Sequence, residues 1–109
     1  EADLGVVEAY LEQQDPGKDE LKLVRLRAAE VVQAYAEMRT SAGEIVISSG
    51  LYEKALRYLE AALGPSHVDT SRAVHKLAAE KAREGEEEEA AELYERAIIG
   101  LEAGLGKLD

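Results

Sequence analysis

The chain has 109 residues, enough for one domain around a single core. Thirteen Lys and Arg against 23 Asp and Glu leave a formal net charge of −10. An acidic excess of that size opposes binding to nucleic acid or to anionic membrane, both of which call for a basic patch. Cys, Trp and Phe are absent. Disulfides, thiol catalysis and Cys-based zinc sites are therefore excluded, and the core falls to Leu, Val, Ile, Ala and a few Tyr. No apolar run is long enough to insert in a bilayer, and no signal peptide is read. With no Cys either, the expected setting is intracellular and cytoplasmic. The start at Glu1, without Met, suits a fragment of a larger protein or a processed chain.

Ala, Leu, Glu, Lys and Arg dominate and favour helix. Leu4, Val7, Tyr10 and Leu11 recur at helical spacing and predict a short helix over 2–14. Asp15-Pro16-Gly17-Lys18 ends it. A second helix is predicted from about Asp19 to Ala42, with Leu21, Val24, Ala28, Val31, Val32, Tyr35 and Met38 as its apolar stripe. Gly43 is placed to stop it. A third runs from Glu44 to Leu63, with Ile45, Ile47, Leu51, Tyr52, Ala55, Leu56, Leu59 and Leu63 inward. Gly64-Pro65 closes it. Ser66 and Asp69 form a capping-box-like pair for a fourth helix over about His67 to Glu84, whose apolar positions are Val68, Ala73, Val74, Leu77, Ala78 and Ala82. After Gly85, a fifth runs from Glu86 to about Gly104, with Ala90, Leu93, Tyr94, Ala97, Ile98 and Leu101 apolar. No segment alternates with period 2, so no sheet is expected.

The chain repeats itself. Leu51 to Gly64 returns 42 residues later as Leu93 to Gly106, with nine of 14 positions identical. Repeats of this period signal stacked supersecondary units. The same offset superposes Gly43 on Gly85, Ala36 on Ala78, Val32 on Val74, and Tyr10 and Tyr52 on Tyr94. The expected organisation is one helical domain over 1–109: a half repeat (1–20), a repeat (21–63) and a repeat (64–106). Short connections make neighbouring helices antiparallel. A competing offset of 35 would place a turn at Ser48-Ser49-Gly50. The longer match favours 42, which leaves those three residues inside a helix.

Leu63-Gly64-Pro65-Ser66-His67, Leu77-Ala78, Gly85, Glu88-Glu89-Ala90, Leu93-Tyr94-Glu95-Arg96-Ala97 and Leu105-Gly106 together resemble a tetratricopeptide repeat of the extended, kinesin-light-chain type. Residues 21–64 match through Ala36, Gly43 and Leu51-Tyr52-Glu53-Lys54-Ala55. The resemblance implies an all-α, right-handed solenoid of about five helices that binds a protein or peptide on its concave side. The first helix of each pair lines that side. The implied peptide-binding residues are accordingly Gln33, Glu37, Arg72, His75 and Lys76. His75-Lys76 and Gln33-Ala34 stand where the family carries an Asn pair. Leu77 to Leu101 is also similar to the first two helices of microtubule-interacting-and-trafficking domains. Those bind amphipathic helices of membrane-remodelling proteins, and that reading predicts a compact three-helix bundle.

The remaining polar features read as structural. Glu84 and Glu86 to Glu89 suit a helix start, where acidic groups favour the dipole. His67 and His75 are eight residues apart, wrong for a metal pair at i and i+4, and His67 falls in a turn. Lys18, Lys22 and Arg25, with Arg27 nearby, read as a solvated face. Gly100, Gly104 and Gly106 suit a closely packed or fraying helix end. No nucleophile constellation, metal set or cofactor motif is found, and a non-enzymatic scaffold or adaptor is expected. A third reading is a structural or oligomerisation segment, with exposed terminal helices forming a homo-oligomer.

Overall fold

The computed structural model describes residues 18–106, and no strand occurs among them. Four helices follow in order: α1 (Lys18–Ser41), α2 (Ile45–Leu63), α3 (Val68–Arg83) and α4 (Glu87–Gly106). The sequence reading counts about five. The expected first helix, over 2–14, lies outside the described residues.

The turns are set by the glycines. Gly43 and Gly85 take φ of 81° and 87°, a region glycine reaches without steric cost. Each closes its helix with the same pair of hydrogen bonds. Gly43 N–H donates to the Thr40 carbonyl and Glu44 N–H to Arg39, while Gly85 N–H donates to Ala82 and Glu86 N–H to Lys81. This is the Schellman pattern, which satisfies carbonyls that the helix end leaves open. The two turns lie 42 residues apart. So do the ends of α1 and α3, and the starts of α2 and α4.

Two local expectations change. The N-cap of α3 is His67, not Ser66: the Asp69 N–H donates to His67 Nδ1 at 3.0 Å. The helix starts one residue later than a Ser66 cap requires. Thr70 then donates its hydroxyl to the Gly64 carbonyl at 2.8 Å and closes the turn. Ser48-Ser49-Gly50 is helical, inside α2, and forms no turn. Ser48 and Ser49 are buried, so α2 carries its packing face straight through them.

Each helix packs along its backbone against its neighbour in sequence: α1 on α2, α2 on α3, α3 on α4. Links this short between helices in lengthwise contact force them antiparallel. Leu26, in the first half of α1, and Leu59, late in α2, line one depression. Glu80, near the end of α3, accepts from Ser48, near the start of α2, at 3.1 Å. Alternate helices therefore run parallel. α1 and α3 meet through long side chains, and Arg96 of α4 donates to Glu60 of α2 at 2.6 Å.

The core takes Ala28, Ala29, Val32 and Ala36 from α1, and Tyr52, Ala55, Leu56, Tyr58 and Leu59 from α2. It takes Ala73, Val74 and Leu77 from α3 and Ala97 from α4. Each buried Leu or Val contributes about 1.5–3 kcal/mol, and the alanines let the helix axes approach. Close approach is most evident between α3 and α4. A Cβ on Gly100 would collide with Ser71 Oγ, and one on Gly104 would collide with Val68 Cγ2. The stripes read from the sequence are wider than the area actually covered. Val31, Met38, Ile47, Ala82, Tyr94 and Ile98 are exposed, whereas Tyr58 is buried. On α1 and α4 a single adjacent helix covers only part of a broad apolar face. Among the described residues no helix is long and apolar enough to cross a membrane.

Candidate functional site

A groove runs between the parallel helices α1 and α3. The 3.6-residue period puts Gln33 and Glu37 on one wall, and Arg72 and Lys76 one turn apart on the other. Lys76 bridges the walls. Its Nζ donates to Gln33 Oε1 at 3.1 Å and lies 3.5 Å from Glu37 Oε1. The bridge divides the groove into two depressions that share Lys76 in their lining. One, of about 350 Å³, includes Glu37, Tyr52, His75 and Arg83. The other, of about 370 Å³, includes Glu30, Gln33, Asp69 and Arg72.

All five sequence-derived residues thus line one groove, and Lys76 touches both Gln33 and Glu37 across it. Arg72 is largely exposed, with its guanidinium 3.7 Å from Asp69 Oδ1. His75 lines the same groove but turns its ring toward α4, where it meets Tyr94 at 5.8 Å between centroids with the planes tilted by 52°.

The end of the groove near the Gly43 turn rests on Glu80, which the sequence reading leaves unassigned. Its side chain is almost fully buried, accepting hydrogen bonds from Thr40 of α1, Ser48 of α2 at 3.1 Å and Arg83 of α3 at 2.5 Å. Burial alone would push this carboxyl up. The hydrogen bonds from Thr40, Arg83 and Ser48 outweigh it and hold the group below the usual carboxylate range. Beside it, burial first, and then the charges of Glu37 and Glu80, push the Tyr52 phenol up. A signal for Glu80 was present: it lies three residues after Leu77, on the apolar face of α3, where a charged residue needs partners.

The other polar features are committed locally or solvated. Arg27 pairs with Glu30 at 3.3 Å, both largely exposed. Arg39 donates to Tyr35 at 2.7 Å and to Glu44 at 2.6 Å, across the first turn. Of the acidic run, Glu86 to Glu89 are exposed at the start of α4, and Glu89 approaches Lys81 at 3.8 Å.

No protein-family model matches the chain, and no curated protein is significantly similar to it.

Proposed function

We propose that the chain is a tetratricopeptide-like adaptor that binds a segment of another protein in the α1–α3 groove, without catalysis. In this reading the two helix pairs are successive turns of a right-handed solenoid. The coincident helix ends at an offset of 42, and the parallel course of alternate helices, support it. A stack of this kind presents the first helix of each pair on one extended surface.

The observation that carries the binding reading is the Lys76 bridge. Lys76 holds a partly exposed ammonium between two depressions, each large enough for a side chain of a bound segment. Its present partners, Gln33 and Glu37, are themselves on the groove wall. A ligand acceptor can replace them without leaving a buried charge unpaired. Arg72 and His75 flank it on the same helix.

The test is selection of binding peptides from a random displayed library against the folded chain, followed by titration with an Arg72→Ala, His75→Ala, Lys76→Ala triple variant. The expected outcome is a loss of affinity of tenfold or more with helicity retained in circular dichroism. Peptides that bind the triple variant as tightly as the parent place the site elsewhere. A library that yields no binder removes the peptide-groove reading.

A further inference from the structure

Among the described residues the joint between α2 and α3 occurs once, and α1 and α4 each carry one half of it with no helix against it. On α2, the stripe Tyr52, Leu56, Leu59 and Leu63 lies beneath α3. The residues 42 later, Tyr94, Ile98, Leu101 and Leu105, form the same stripe on α4 and are all apolar. Leu56 is 6% exposed and Ile98 53%, and Leu105 is 64% exposed where Leu63 is half-buried. The other half of the joint shows the reverse. On α3, Ala73 and Glu80 are 2% and 1% exposed, whereas their equivalents on α1, Val31 and Met38, are 63% and 55% exposed. Equivalent positions differ because α2 and α3 have each other, while the outer faces of α4 and α1 have no helix against them among the described residues.

From this we infer that the α4 face of one copy of this chain receives the α1 face of a second copy, head to tail, repeating the α2–α3 joint. The positions at the joint suit one another. Inside the chain Glu80 of α3 takes a hydrogen bond from Ser48 of α2. At the joint between copies the Glu80 position is held by the apolar Met38, 55% exposed, while Ala90, at the Ser48 position, is already buried within its own chain. Inside the chain Lys81 pairs with Glu53 at 3.1 Å. Between copies the equivalents are Arg39, which also pairs with Glu44 in its own chain, and Glu95, again a cation facing a carboxylate. Residues 1–17 are a poorer occupant of the α1 face. At the register positions of Tyr52, Leu56 and Leu59 they carry Tyr10, Gln14 and Gly17, where α4 offers Tyr94, Ile98 and Leu101. These faces lie apart from the Lys76 bridge and adjoin the groove where His75 meets Tyr94, so the variants that test self-association are placed at Val31 and Ile98 instead.

A head-to-tail contact uses two different patches and leaves one of each free, so it grows unless it closes into a ring. The mass measured by light scattering or sedimentation is expected to rise with concentration into the millimolar range. Val31→Glu and Ile98→Glu alter exposed positions, and helicity by circular dichroism checks that each variant folds. Each is expected to be monomeric alone. An equimolar mixture is expected to form a 1:1 dimer that grows no further, because only one intact pair of faces remains. Glu95→Lys, at the charged edge, is expected to raise the midpoint concentration several-fold. The proposal is overturned if the wild-type mass stays that of a monomer throughout, if either variant alone still associates, or if the mixture fails to dimerise.

Discussion

Thr40 of α1 and Glu80 of α3, forty positions apart in sequence, share a hydrogen bond at a buried carboxylate. Ser48 of α2 joins them. One acidic side chain therefore ties three helices together and fixes how the second pair sits on the first. Arg83 balances its charge from the same helix, with its own side chain half in water.

This node makes stability depend on pH. Glu80 titrates below its ordinary value of 4.5 in the folded chain. A carboxyl with a depressed folded value contributes stability that is fully present above its unfolded value and is lost as pH falls through the folded one. Glu80→Gln keeps the shape but removes the charge that Arg83, Thr40 and Ser48 address. It is expected to lower stability at neutral pH by about 2 kcal/mol, the scale of hydrogen bonds to a charged group. Its melting temperature is also expected to fall less steeply than the parent's between pH 5 and pH 3. Parallel acid profiles for the two proteins would assign the acid sensitivity to other carboxylates.

Two helical glycines should respond to Ala in opposite directions. Gly50 is exposed, and a methyl group added there would have no atom within 4 Å. Gly50→Ala is expected to stabilise by about 0.5–1 kcal/mol through helix propensity. At Gly104 the added Cβ meets Val68 Cγ2, and a β-branched side chain has little freedom to turn away. Gly104→Ala is expected to destabilise by about 1–3 kcal/mol. A Val68→Ala change in the same chain should recover part of that loss. Urea unfolding of the parent and these variants measures all of this, and equal effects at Gly50 and Gly104 would refute the close approach of α4 to α3.

The cap of α3 offers a smaller test. His67→Ala removes the acceptor for the Asp69 N–H and is expected to cost about 1 kcal/mol, as other N-cap losses do. His67→Asp is expected to restore most of it, because a carboxylate accepts the same hydrogen bond and favours the helix dipole. Ser66→Ala should change stability little, which separates the two candidates for the cap by thermal denaturation.

Helix type and the turn positions were determined by the sequence itself, because both rest on local physics. Gly43 and Gly85 permit the left-handed turn whatever surrounds them, and the apolar period marks α1 to α4 without knowledge of their neighbours. The groove was legible in part. With the pairs aligned at 42 residues, Gln33, Glu37, Arg72, His75 and Lys76 fall on the first helix of each pair. Only tertiary structure decided which of them meet, since the reach of Lys76 to Gln33 depends on how α3 sits beside α1. It also decided the fate of equivalent residues. Tyr52 and Tyr94, or Ala73 and Val31, occupy the same place in the repeat and differ in burial because one of each pair has a helix packed over it. A residue's pattern marks it as able to pack, whereas the presence of a neighbour is a property of the whole array.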